Sequence, residues 1–464
     1  MGRRIVTRMR LSEVARAVGA APPVPDGFVR GVGIDSRQVR CGDLFVALPG
    51  AHHDGHSFVG EARSRGAVAA VVDRQVDADI RQLVVRNTMS ALGAIARAWR
   101  IRFATPLITI AGSNGKTTVK EMLGSILRQA AMGTALVTRG NLNNEIGVPL
   151  TLLRLRDWHR FAVIEIGANH SGEIAYLADL ARPTMGVITN AGLDHVAGFG
   201  GPDGAARANG EMFAAMDGDA IAVLNADDPC LPIWEELAGE RRVIAFGLES
   251  KRADVRGCWC STARGGRLSI QSPWGTYDID LALAGLHNGV NAMAAATAAH
   301  ALDVPASAIV AGLSAVRPVK GRLQSHQGLH GARLIDDSYN ANPSSLDAAL
   351  AVLAQARGEK VVVLGDMAEL GDDAAMWHER AGRSTRLAGV DRLFAIGELS
   401  RHAVDAFGLG AHHFTDREAL ASALRAILHA DVTVLIKGSR RMRMEALVDD
   451  LISKSSGKQE PVGQ

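Results

Sequence analysis

The segment Ile108 to Lys120, ITIAGSNGKTTVK, sets glycines, a lysine and two threonines between an apolar run and an amphipathic stretch. That order is the chemistry of an anion cradle. A glycine-rich turn exposes successive backbone N–H groups, and the positive end of the helix that follows favours the same charge. Gly112, Ser113, Asn114 and Gly115 supply the turn, Lys116 a point charge for β and γ phosphates, and Thr117, beside Thr118, a hydroxyl for Mg²⁺. The spacing is a shorter variant of G-x-x-x-x-G-K-[ST], because Ile110 stands where the first glycine would be. A strand-to-helix turn with an incidental lysine is the competing reading, and the strand before and helix after the turn favour nucleotide binding.

Other polar residues end apolar runs in the same way. Glu165 closes FAVIE, with Asn169 and His170 in the turn beyond; a carboxylate so placed needs a partner, and Mg²⁺ held against ATP phosphates is one. His195 follows VITNAG, where an imidazole suits a second cation or a phosphate. Either residue taken alone reads equally well as a hydrogen-bonded strand-end side chain. His287, Asn288 and Asn291 open an alanine-rich helix, where amides can read the edge of a purine. DDSYNANPSS, from Asp336, ends a strand and starts a helix, with Pro343 and Ser344 as start chemistry; capping alone does not require Asp337, Tyr339, Asn340 and Asn342 together. GDMAELG and KGSRRMRMEAL stand at later strand ends.

The elements that must position these groups follow from pattern. A chain of 464 residues is too long for one core, and three domains are the natural division. Residues 1–99 mix short apolar runs with helical stretches and read as a small α/β domain. Residues 100–317 carry LITIAG, FAVIEIG, MGVITNAG and AIAVLNADD, apolar without alternation, which predicts a parallel sheet covered on both faces. Residues 318–464 repeat the texture with ARLIDDS, KVVVLGDM, RLFAIGE and VTVLIKGS and predict a Rossmann-like closing domain, with a tail from Ser453 lacking periodicity. The fold class is therefore α/β in three domains, and ligands are expected at the carboxyl ends of the strands.

Composition removes other classes. A formal net charge of +2 gives no field for nucleic acid. Cys41, Cys230, Cys258 and Cys260 match neither a zinc site nor a disulfide framework, which points to a reduced, cytoplasmic setting. The start, MGRRIVTRMRL, lacks the apolar region of a secretory signal, and no apolar run has membrane-spanning length. A monomer is expected.

GSNGKTT, GNLNNEIGVPLTLLRL, EIGANHSGEI, GLHNGVNA, GRL, DDSYNANPSS, GDMAELG and KGSR, in this order over nearly the whole chain, resemble the Mur ligases. GANH-x-GEI, D-x-YNANP and GDM-x-ELG are similar to the branch that adds D-Ala-D-Ala. The resemblance implies that ATP phosphorylates the terminal carboxylate of UDP-MurNAc-tripeptide and that the amine of D-Ala-D-Ala displaces phosphate. It further implies phosphate binding by Gly112 to Thr118, metal at Thr117, Glu165 and His195, and adenine at His287 and Asn291. Arg322 would serve the γ-phosphate region, and Asp337, Tyr339, Asn340 and Asn342 would contact nucleotide or peptide. Asp35, Ser36 and Arg37, with Asp54 and His56 of DGHSF, would form the uridine-diphosphate pocket of the N-terminal domain. Asn143 and Asn144 would lie near the muramoyl peptide.

One position departs from the family. A lysine carbamylated by CO₂ precedes a G-E-[IM]-F-like segment in the family, and here Asn209 aligns with it in AARANGEMF. Asn cannot be carbamylated, so no carbamate is expected, leaving Arg207 and Glu211 to reorganise the site or the second metal to bind more weakly. Sibling ligases of the same fold and a P-loop ATPase are the rival readings. D-x-YNANP argues against the siblings, and the additional pocket motifs argue against the ATPase.

Overall fold

The computed structural model describes residues 9–22, 25–50, 53–130, 133–192, 196–263 and 265–452. Near the N-terminus, Val32–Gly33, Leu44–Val46, Ala69–Val72 and Arg81–Val84 pair in chain order as a parallel sheet. The two middle strands are apolar throughout and wholly buried, as strands covered on both faces must be.

The central sheet holds six parallel strands in the spatial order Arg242–Gly247, Ile221–Asn225, Met185–Ile188, Leu107–Ala111, Phe161–Glu165 and Ala135–Val137. The purely parallel expectation needs amending at one edge. Val255–Thr262 extends the sheet, and Gly265–Ser272 and Gly275–Leu281 add an antiparallel meander. These strands alternate buried and exposed residues because one face meets water, the pattern of antiparallel rather than parallel sheet. Strand order reverses beside Leu107–Ala111, and the crevice outside the carboxyl ends at such a reversal is where open α/β sheets bind ligands. Below it lies the helix Lys116–Ala130, whose stripe of Val119, Met122, Leu123, Ile126 and Leu127 is fully buried.

The C-terminal sheet runs Gln324–Gln327, Arg333–Asp337, Val432–Lys437, Glu359–Gly365, Arg392–Ile396 and Ala411–Phe414, with only the first pair antiparallel. Its two faces carry separate apolar clusters under flanking helices. Among the described residues no helix is long and apolar enough to cross a membrane.

One buried histidine makes this domain pH-sensitive. His378 Nε2 accepts the Met367 N–H at 2.9 Å, so Nδ1 carries the proton and donates to the Ala374 carbonyl at 2.7 Å. Burial holds its pKa below the ordinary 6.5, and burial acts the same way on His159 and His300. The unfolded chain therefore takes up these protons first as pH falls. The associated stability is fully present above about pH 6.5 and is lost progressively below it. We expect a lower melting temperature at pH 5 than at pH 7.5, with a smaller difference in His378→Leu. A pH-independent melt would remove this account.

Candidate active site

A cavity of about 620 Å³ opens between the carboxyl ends of the central strands and the C-terminal sheet. Residues 113–118 form its floor, and Asn143, Asn144 and Glu165 one wall. His287 and Asn291 stand beside the loop, and Arg322, Asp337, Tyr339, Asn340 and Asn342 face it from the C-terminal sheet. His195 lies outside the described residues. Gly112 sits behind the lining, and the five N-terminal residues predicted to bind substrate lie elsewhere.

The loop is held by amides the sequence reading did not assign to it. Gly112 N–H donates to Asn209 Oδ1 at 2.9 Å, and Asn209 Nδ2 donates to the Ala205 carbonyl at 2.8 Å. Asn114 N–H donates to Asn190 Oδ1 at 3.0 Å, while the Asn114 carbonyl accepts from Thr189 Oγ1 at 2.6 Å and Asn190 Nδ2 at 2.9 Å. Gly112 has φ +129°, and a Cβ there would sit 2.1 Å from Thr189 Oγ1, so a side chain is excluded twice over. Asn209 is thus a prop for the loop and does not line the cavity. Nor does Glu211, whose carboxylate accepts the Gly172 and Ala175 N–H groups at the start of the helix Glu173–Ala181. The available signals were an amide just past an apolar strand and an Asn among the alanines of AARANG. Asn209→Ala leaves the Gly112 donor unpaired, and ADP affinity by calorimetry should fall about tenfold; an unaltered affinity would count against the prop.

Lys116 Nζ folds back onto the Gly112 and Ser113 carbonyls at 2.5 and 3.0 Å. Glu165, 1% exposed, accepts from Thr117 Oγ1 at 3.1 Å and Asn143 Nδ2 at 2.9 Å, both on Oε1. Its Oε2 and the Ser113 hydroxyl are buried without a hydrogen-bond partner. Both residues line the cavity, and Lys120 Nζ stands 3.6 Å from that Oε2; buried polar atoms are seldom left without a partner. A carboxylate oxygen beside a threonine hydroxyl suits a hard cation such as Mg²⁺.

The C-terminal side reaches the same loop. Arg322 Nη2 donates to Thr117 Oγ1 at 3.1 Å and its guanidinium lies 4.4 Å from the Tyr339 ring centre. Asn342 caps the helix Pro343–Leu353 by accepting Ser345 N–H at 2.8 Å, while its Nδ2 donates to Asn114 Oδ1 at 3.0 Å. Asp337 is paired with buried Lys437 at 2.5 Å and accepts the Leu323 N–H at 3.2 Å; Lys437 also donates to the Asn340 carbonyl at 3.0 Å. Lys437, a lysine ending the apolar strand VTVLIK, is a cavity residue that the sequence reading left without a role. His287 is half-buried in the wall, and burial lowers its pKa against the opposing pull of the Asp337 carboxylate. Asn291 Nδ2 donates to Asn288 Oδ1 at 3.3 Å, and its own Oδ1 packs on Gly115, where a Cβ would approach to 2.3 Å.

The N-terminal candidates satisfy one another instead. Asp35 pairs with Arg37 at 2.9 Å, which holds the carboxyl at about 2, and Ser36 Oγ donates to Glu61 at 2.6 Å. His56 Nε2 accepts Asp73 N–H at 3.0 Å, so its Nδ1 donates to Asp54 at 2.6 Å; Asp54 also pairs with Arg74. None lines the cavity.

Comparison with known proteins agrees along the chain. The Mur ligase family catalytic domain matches residues 28–100, the Mur ligase middle domain residues 110–299, and the Mur ligase glutamate ligase domain residues 321–440. UDP-N-acetylmuramoyl-tripeptide--D-alanyl-D-alanine ligase of Escherichia coli is 41% identical, covering 89% of this chain and 92% of its own. The Haemophilus influenzae protein of the same name is 36% identical, covering 92% and 94%. The crystal structure of MurF from Acinetobacter baumannii superposes with a TM-score of 0.91 at 36% identity, covering 96% of this chain and 99% of that one. MurF of Thermotoga maritima, solved with ADP, gives 0.81 at 27% identity, covering 91% and 97%. Three matched domains in the family's order, a shared fold and relatives above 30% identity over most of both chains place this protein in the Mur ligase family.

Proposed function

We propose that this protein is an ATP-dependent ligase that joins D-Ala-D-Ala to UDP-MurNAc-tripeptide, giving UDP-MurNAc-pentapeptide, ADP and phosphate. The observation that carries the reading is one cavity in which the 113–118 loop, Lys116 and Glu165 face Arg322, Tyr339, Asn340 and Asn342. In that cavity the loop N–H groups and Lys116 hold the β and γ phosphates, with Arg322 beside the γ-phosphate region. Thr117 and Glu165 would hold Mg²⁺, with His195 as a further ligand, and the ion neutralises phosphate charge when bound. His287 and Asn291 receive the adenine.

The tripeptide's terminal carboxylate oxygen attacks the γ-phosphorus and the bond to the β-phosphate oxygen breaks, leaving ADP and an acyl phosphate. The amine of D-Ala-D-Ala then attacks the acyl carbon, loses a proton, and phosphate departs. Asn143, Asn144, Tyr339, Asn340 and Asn342, with Asp337 fixed by Lys437, keep carboxylate and amine in line and shield the acyl phosphate from water. The Asp35–Arg37 and Asp54–His56 loops receive the uridine diphosphate. The reading includes domains at 1–99, 100–317 and 318–464 and a cytoplasmic monomer. The parallel sheets of the three regions and the coverage of the relatives support the domain division.

The purified protein with ATP, Mg²⁺, UDP-MurNAc-tripeptide and D-Ala-D-Ala should release phosphate only when both acceptors are present, and mass spectrometry should find the pentapeptide. Acceptor-independent hydrolysis would replace this reading with an ATPase. Turnover with a single amino acid but not with D-Ala-D-Ala would replace it with a sibling ligase.

A further inference from the structure

We propose that Lys120, which touches no substrate position itself, is a positioning residue that ties the muramoyl-peptide side of the cavity to the phosphate loop. It stands one helical turn beyond Lys116 and is 0% exposed, among a buried set on this helix that is otherwise apolar except for Thr117. A buried ammonium is costly unless its donors are used, and a methionine would fill the space without that cost. All of its reach is spent on three elements. Its Nζ donates to the Gly140 carbonyl at 2.8 Å, pairs with Glu121 at 3.0 Å and stands 3.6 Å from Glu165 Oε2.

Gly140 begins the turn that carries Asn143 and Asn144. That turn is tied down twice more, by Asn143 Nδ2 on Glu165 and by the Gly167 N–H donating to the Asn143 carbonyl at 2.9 Å. Lys120 is therefore the direct link between helix and turn, beside the indirect one that runs from Thr117 through Glu165 to Asn143. Without it the turn loses its direct anchor to the helix, and Glu165 loses the cation facing its unbonded oxygen. The phosphate loop, propped separately by Asn190 and Asn209, keeps its shape.

The inference deepens the ligase reading and rests on it for the identity of the carboxylate substrate. Its test has one readout that does not. In Lys120→Met, backbone amides of residues 140–144 should exchange with deuterium at least about tenfold faster, with ADP affinity in the absence of Mg²⁺ within about twofold of wild type. The KM for UDP-MurNAc-tripeptide should rise at least about tenfold with a smaller change in kcat. Unchanged exchange in the turn overturns the proposal even if the protein acts on another carboxylate, whereas faster exchange with no turnover of this substrate in the wild type upholds it and sinks only the ligase reading. Lys120→Gln is measured alongside. Faster exchange in whichever variant melts cooperatively supports the positioning role. Loss of cooperative melting in both would make Lys120 a core residue and overturn it.

Discussion

Lys116→Ala should lower kcat by about 10²–10³-fold, the usual effect of removing one preorganised charge from a transition state. The melting temperature should stay within about 2 °C of wild type, because exposed or cavity-facing contacts contribute little to folding. The reason is in the geometry. The ammonium's hydrogen bonds run to the Gly112 and Ser113 carbonyls of its own loop, and the turn is shaped independently by Thr189, Asn190 and Asn209. Lys116 is thus poised over the floor of the cavity without being needed to build it. Phosphoryl transfer asks the protein for charge and alignment more than for covalent chemistry, so the loss falls on turnover. Steady-state kinetics beside a thermal melt separates the two, and a variant that keeps wild-type kcat would mean that the loop does not hold the transferred phosphate.

Glu165→Gln should raise the Mg²⁺ concentration for half-maximal turnover by more than about tenfold and lower kcat at saturating Mg²⁺ by about 10²-fold. The substitution keeps size and the ability to accept from Thr117 and Asn143, and removes only the charge beside the unpaired oxygen. Because Lys120 stays at its place and keeps only Glu121 as a charge partner, a modest fall in melting temperature accompanies the kinetic change. A Mg²⁺ titration that superposes on wild type would place the metal elsewhere and take Glu165 out of the reaction. Binding of ADP without Mg²⁺ serves as the control and should be unaffected.

The parts of this molecule visible in the sequence are those written locally. LITIA, FAVIE and VTVLIK are strands because apolar residues without alternation need cover on both faces, and each ends where a polar residue can face the cleft. The loop from Gly112 to Thr118 is legible because glycine, lysine and threonine act within a single turn. What was not legible lies between residues far apart in the chain. Asn209 meets Gly112 across 97 positions, and Asn342 meets Asn114 across 228, and no periodicity announces either pair. The meander from Val255 escaped because its strands mix Gly, Ser and Arg with few apolar residues, and Gln324–Gln327 because an edge strand of polar residues carries no hydrophobic pattern at all. Asp35, Ser36, Arg37, Asp54 and His56 came from motif resemblance, and the structure shows what local spacing hides: their charges already have partners within their own domain.

The bonds from Arg322 to Thr117 and from Asn342 to Asn114 join the C-terminal sheet to atoms that, on the proposed reading, an incoming nucleotide and its cation would also require. Ligand and protein therefore compete for one hydroxyl and one amide, and whatever affinity the nucleotide has is measured net of the grip it must loosen or share. Arg322→Ala would remove that competitor along with a phosphate contact. ADP, which has no γ-phosphate to lose, should then bind as well or better, while the ATP-dependent reaction weakens. If ADP instead binds Arg322→Ala markedly worse, the two ends of the chain are not sharing a single latch.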